Sequence, residues 1–169
     1  MGLLHTVEDF LFRGYMVKAR EAKKAADRKS EMSKCTVLAI DDDPAFLESM
    51  RWLLRDAGYT VLTSSSGSKG LDILRYASRD IRAVLLDFNM PKFNGDDTLQ
   101  YVRQLSPKAK VIALTGLEPQ SVPDSFRRGV DKFMQKPCSS GALVESLGEL
   151  LAQESKEDEP WPACSASEA

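Results

Sequence analysis

Between residues 35 and 152 the chain alternates, five times over, a short run of β-branched and aliphatic residues with a longer stretch of helical character. The runs are CTVLAI, YTVLTS, IRAVLLDF, KVIALT and DKFMQ, each bounded by turn-forming or charged residues. PAFLESMRWLLRDAG, GSKGLDILRYASRD, GDDTLQYVRQLS and VPDSFRRG lie between them, and SSGALVESLGELLAQ follows the last. Neighbouring parallel strands need long crossover connections, and a helix is the usual one. The order therefore predicts an α/β fold: a five-stranded parallel sheet with helices on both faces. In such sheets ligands gather beyond the carboxyl ends of the strands, where the strand order reverses. The chemistry is to be sought at those ends.

Local signals sharpen the elements. The first helical stretch places Phe46, Leu47, Met50, Leu53 and Leu54 on one stripe and stops at Gly58, a residue suited to closing a helix. The last has Ser139 or Ser140 as its N-cap and Leu143, Leu147, Leu150 and Leu151 as its inner face. The fourth is interrupted, because Pro119 and Pro123 flank QSV. This predicts a long loop after Thr115 and a short helix beginning near Pro123. Gly95 reads as a turn residue ahead of the third helix.

Two segments of opposite charge flank the alternating core. Residues 1–34 carry eight Lys/Arg and five Asp/Glu, net +3, whereas residues 153–169 carry one Lys and five acidic residues, net −4. The first is expected to be a helical extension with an apolar half (Val7, Phe10, Leu11, Tyr15) and a basic half, able to form a homodimer. The second, polar and broken by prolines, is expected to be a disordered acidic tail with no room for an output domain. The expected organisation is thus an extension over 1–34, one α/β domain over 35–152 and a tail over 153–169. A whole-chain charge of −2 gives no general attraction to nucleic acid. No apolar run is long enough to span a bilayer, and the first residues lack the pattern of a signal peptide. Cys35, Cys138 and Cys164 are odd in number and unpatterned, which reads as free thiols in a cytoplasmic protein. His5 is given no role.

Four polar features fall where strands end. Asp41, Asp42 and Asp43 follow the first run, and Asp87 follows AVLL in the third. Thr115 closes the fourth, and Lys136–Pro137 follows the fifth. A parallel sheet brings all four to one edge. Adjacent carboxylates need a counter-charge there, and hard oxygen donors with room for water suit Mg²⁺. A carboxylate beside such an ion can attack a phosphoryl group and form an acyl phosphate, a reaction that asks mainly for positioning and charge neutralisation. Lys136 would supply positive charge and the Thr115 hydroxyl a hydrogen bond. The bland reading of the triplet is a solvated turn capping the first helix.

VLAIDDD, VLLDFNMPKFNG, VIALTG and DKFMQKP, in that order, resemble the response-regulator receiver domains of two-component signalling over roughly residues 35–152. The resemblance implies a flavodoxin-like, doubly wound (βα)5 fold with strand order 2-1-3-4-5. It implies Asp87 as phosphoacceptor, with Mg²⁺ held by Asp42, Asp87 and the backbone carbonyl of Asn89, and by Asp41 through water. Thr115 is then the switch hydroxyl, Lys136 the phosphate partner and Phe133 the switch aromatic. Asn89 and Leu117 occupy the positions that tune hydrolysis, and an apolar Leu117 cannot orient the attacking water. A cis bond is expected at Lys136–Pro137. The implied partners are a histidine kinase or phosphotransfer protein and a downstream protein target, the latter met on the face of the fourth helix, fifth strand and fifth helix.

Two other functions fit parts of the pattern. A phosphatase of the haloacid dehalogenase type also uses an aspartyl phosphate, Mg²⁺, a hydroxyl and a lysine. It needs further acids after the lysine, where this chain has PCSSGALVE, and usually a cap domain. A receiver fold working without phosphorylation, regulated by its extension, is the third reading.

Overall fold

The computed structural model describes residue 21, residues 35–91 and residues 94–157. The expectations for the homodimer, for the apolar and basic halves of the extension and for residues 158–169 lie outside the described residues. Five strands, β1 (Thr36–Ile40), β2 (Thr60–Ser64), β3 (Ile81–Asp87), β4 (Lys110–Thr115) and β5 (Lys132–Gln135), form one sheet in the order β2-β1-β3-β4-β5. Every neighbouring pair is parallel. The connecting helices are α1 (Pro44–Asp56), α2 (Gly67–Ala77), α3 (Gly95–Leu105) and α4 (Asp124–Gly129), with α5 (Ser140–Glu157) after the last strand.

The three inner strands, β1, β3 and β4, are largely apolar and buried because both faces of the sheet are covered, whereas the edge strands β2 and β5 carry polar residues. Side chains alternate across a strand, so Leu38, Ile40, Val84, Leu86, Val111 and Ala113 pack on one side with Leu71, Leu74, Leu99, Val102 and Phe126 of α2, α3 and α4. Val37, Ala39, Ala83, Leu85, Ile112 and Leu114 pack on the other with Leu47, Met50 and Leu54 of α1 and Leu143, Leu147 and Leu151 of α5. The predicted stripe of α1 faces this second layer, Phe46 and Leu53 at its partly buried margin. Gly58 follows the α1 C-cap with φ 99°, a left-handed conformation that a side chain would oppose.

Three local readings are revised. The last helix runs to Glu157, past the expected boundary at 152, so the first residues assigned to the disordered tail are helical. QESKE contains good helix formers and no breaker before Pro160. The loop after Thr115 is not wholly irregular, since Pro119–Ser121 forms a 3₁₀ turn before α4, with Pro123 at its N-cap. Gly95 is the first residue of α3, not a turn residue ahead of it, and Asn94 is the N-cap, its Oδ1 accepting from Asp97 N at 2.9 Å. A Cβ at Gly95 would lie 2.5 Å from Phe88 Cα and 2.8 Å from the Asp87 carbonyl oxygen, so close approach explains the glycine.

Arg103 of α3 ties the amino end of the sheet together. Its Nε and Nη2 donate to the Gly129 carbonyl at 2.9 and 2.8 Å, and Nη1 donates to the Ala109 carbonyl at 2.8 Å. Nη2 also pairs with Asp131 Oδ2 at 2.7 Å, and that oxygen accepts from Val111 N at 2.7 Å. The clamp fixes where α4 ends and β5 begins, and hence the level at which Lys136 emerges.

Candidate functional site

Register decides which strand-end residues meet. Ile40 of β1 is paired with Leu86 of β3, so the next residues, Asp41 and Asp87, leave the sheet side by side. Asp87 itself is paired with Leu114 of β4, which puts Thr115 one step further along the same edge. The Lys136 backbone N–H donates to the Thr115 carbonyl at 2.7 Å and fastens the end of β5 to the end of β4. The Lys136–Pro137 bond that follows is cis, as the resemblance implies.

One carboxylate oxygen from each of Asp41, Asp42 and Asp87 lies within 4.8 Å of the others. Asp41 and Asp87 are 3% and 6% exposed, whereas Asp42 is open to solvent. Lys136 Nζ stands 2.5 Å from Asp41 Oδ2 and 3.4 Å from Asp87 Oδ1, bridging the two buried acids. Burial pushes the Asp87 carboxyl above its ordinary value, opposed by the Lys136 charge and reinforced by the Asp41 charge. Lys136 and the Asn89 backbone also hydrogen-bond the Asp87 carboxylate and favour its ionised form. The donor set fits Mg²⁺: hard oxygens only, two acids fixed in the floor, and an exposed third that leaves room for water ligands.

The acidic triplet divides its work. Asp43 is the N-cap of α1, its Oδ1 accepting from Ala45 N at 2.9 Å and Phe46 N at 3.3 Å, so the bland reading holds for this residue. Asp43 N in turn donates to Asp41 Oδ1 at 3.0 Å. One Asp41 oxygen thus takes that N–H and the other takes Lys136.

The other expected residues stand around the cluster. Thr115 is fully buried, and its Oγ1 accepts from Leu117 N at 3.2 Å. Leu117 is partly buried against the layer of α2, α3 and α4, and Phe133 packs against the same layer. Asn89 is exposed two residues beyond Asp87. Among the described residues, neither Thr115 nor Phe133 has a hydrogen bond or ion pair to the acidic cluster. Sequence reasoning missed one contributor: Phe46, read only as part of an apolar stripe, stacks on Lys136 with its ring centroid 4.1 Å from Nζ. Its place in the first turn of α1, three residues after the triplet, was the available signal.

Comparison with known proteins agrees with this geometry. The response regulator receiver domain family matches residues 37–148. The transcriptional regulatory protein GlrR of Escherichia coli (strain K12) is 32% identical over 129 residues, covering 74% of this chain and 28% of that protein. The cell cycle response regulator CtrA of Brucella ovis is 31% identical over 118 residues, covering 68% of this chain and 49% of that protein. The matched region thus spans less than half the length of these relatives. Among solved structures, a response regulator receiver domain protein from Clostridium thermocellum superposes with TM-score 0.68 at 28% identity, covering 73% of this chain and 98% of that one. A CheY-like receiver domain protein from Methanospirillum hungatei JF-1 gives TM-score 0.66, also at 28% identity, covering 72% and 97%. With four motifs in order, a 2-1-3-4-5 sheet that gathers three acids and a lysine at one edge, and a family match across the core, the chain belongs to the response regulator receiver domains of two-component signalling.

Proposed function

We propose that Asp87 accepts a phosphoryl group from the phosphohistidine of a kinase or phosphotransfer protein, and that the chain works as a protein-contact switch and not as a metabolic enzyme. The observation that carries this reading is the convergence of Asp41, Asp42 and Asp87 within 4.8 Å with Lys136 across two of them. A carboxylate oxygen of Asp87 forms the new O–P bond while the donor imidazole nitrogen leaves. The charge arriving on the phosphoryl oxygens would be met by Lys136, which moves from Asp41 to one of them. Thr115 would donate its hydroxyl to another. Receiver domains bind Mg²⁺ at an acidic pocket, and here Asp42, Asp87 and the Asn89 carbonyl would hold it directly, with Asp41 behind a water. The bound ion supplies charge neutralisation for the phosphoryl oxygens.

Output follows from the same edge. Thr115 drawn toward the phosphoryl group would disturb its bond to Leu117 N and the packing of Phe133, shifting the population of the α4–β5–α5 face. A groove of about 600 Å³ beside β5 and α5, lined in part by Phe133, Met134, Cys138 and Ala142, offers a downstream protein a surface on that face. None of the helices among the described residues is long and apolar enough to cross a membrane. The phosphatase reading gives way to the family assignment.

The test is intact-mass analysis after incubation with Mg²⁺ and acetyl phosphate. One added phosphoryl group on the wild type and none on Asp87→Asn is the expected result. An unlabelled wild type would remove this reading in favour of a receiver fold that works without phosphorylation.

A further inference from the structure

We propose that Phe46 is a positioning residue for Lys136, holding the ammonium at the acidic cluster through its aromatic face; the proposal rests on the phosphoacceptor reading of Asp87. A lysine reaches its partners on a flexible four-carbon stem and presents a point charge without the fixed fork of an arginine. Its position is set by what surrounds the ammonium. Here three groups do so: Asp41 Oδ2 at 2.5 Å, Asp87 Oδ1 at 3.4 Å and the Phe46 ring centroid at 4.1 Å.

The ring is placed by the turn that places the acids. Asp43 N donates to Asp41 Oδ1, and Asp43 Oδ1 accepts from Phe46 N, so residues 41–46 form one hydrogen-bonded unit. Phe46 is partly buried against the layer that holds α1 and α5, which limits how far the ring can turn away. A carboxylate partner binds an ammonium along particular N–H directions. The negative face of a ring attracts the charge over a broad area. The difference matters when Asp87 takes up phosphate. From acetyl phosphate, the Asp87 oxygen bonds to phosphorus, the bond from phosphorus to the acetyl oxygen breaks, and acetate leaves. Lys136 must then exchange Asp41 for a phosphoryl oxygen. A ring face keeps the ammonium over the site during that exchange. An aliphatic side chain of similar volume would fill the space and provide no such attraction.

The experiment uses the full chain as wild type, Phe46→Leu and Phe46→Trp, each with Lys136 and with Lys136→Gln. Phosphoryl uptake from acetyl phosphate at fixed Mg²⁺ is followed by intact mass. Phe46→Leu is expected to slow uptake by about three- to tenfold, while Phe46→Trp stays within about twofold of wild type. In the Lys136→Gln background the leucine is expected to have no further effect. Equal rates for wild type and leucine, equal losses for leucine and tryptophan, or a leucine effect that persists without Lys136 would each overturn the proposal. A second readout needs no phosphorylation: the Lys136 methylene protons beside the ammonium should be shifted upfield by the ring in wild type and Phe46→Trp, but not in Phe46→Leu. A wild type that takes up no phosphate would sink the Asp87 reading, and the proton shifts would still decide the pairing: the same shift in wild type and leucine overturns it.

Discussion

Replacing Gly95 by alanine puts a methyl group against the backbone that follows Asp87, the proposed phosphoacceptor. The new Cβ would stand 2.5 Å from Phe88 Cα, 2.8 Å from the Asp87 carbonyl oxygen and 3.1 Å from the Phe88 carbonyl oxygen. Carbon atoms in ordinary contact sit about 3.5–4.0 Å apart, so something must retreat by roughly 1 Å. All three neighbours are main chain, which cannot swing aside as a side chain would. The hydrogen bond from Gly95 N to the Phe88 carbonyl, 3.0 Å long, crosses the same gap and would be stretched. Overpacking of this kind costs about 1–3 kcal/mol, and we expect a loss near 2 kcal/mol. For a cooperative unit of this size that lowers Tm by roughly 6–10 °C. The strain falls on Asp87 and the turn carrying Asn89, and a displacement near 1 Å there should slow phosphoryl uptake about ten- to a hundredfold. Gly116→Ala is the control: a Cβ there meets nothing within 4 Å, so stability should stay within about 0.5 kcal/mol of wild type. Urea unfolding and acetyl phosphate labelling by intact mass measure both effects. A Gly95→Ala protein as stable and as readily labelled as Gly116→Ala would refute the close-approach argument.

Three further outcomes are expected. Burial, with the Asp41 charge adding to it, holds the Asp87 carboxyl above its ordinary value of 3.8 despite Lys136. The unfolded chain therefore gives up this proton at lower pH than the folded one, and metal-free stability falls as pH rises through the window between the two values. Asp87→Asn lacks that fall, so its advantage in urea midpoint should grow from about pH 4 and then level off; a difference independent of pH contradicts this. Arg103→Met removes four hydrogen bonds from a side chain only 30% exposed and should cost roughly 2–4 kcal/mol in urea unfolding, with a loss below about 1 kcal/mol counting against the clamp. Leu117→Glu supplies a polar group able to orient water, so phosphorylated protein should lose its label faster than wild type by intact mass; equal or slower loss would show that this position does not limit hydrolysis.

Much of the fold was legible because its signals are local. Period-2 and period-3.6 patterning lies within a few residues, so four strands begin or end within a residue of expectation and β4 matches at both ends. The glycine after α1 and the serine ahead of α5 act as read, Ser139 Oγ accepting from Ala142 N at 3.1 Å. Helix ends were less legible: a single proline rule placed α4 near Pro123, yet the boundary expected at 152 missed that α5 continues through QESKE. Of the site, the ordered motifs named Asp41, Asp42, Asp87 and Lys136, and the fold brings those four together.

By itself, then, the linear order of residues determined the alternation of elements, the parallel sheet and the acids, hydroxyl and ammonium at its carboxyl edge. Each depends on spacing along the chain and on the rule that parallel strands need crossovers. Only the tertiary structure decided that Asp41 receives Lys136, that Phe46 faces that ammonium, that Gly95 admits the Asp87 carbonyl and that Arg103 reaches Gly129. Those contacts join residues up to 95 positions apart. Their geometry is set by strand register and by how two helical layers close over one sheet, and no pattern within a window of neighbours carries that information.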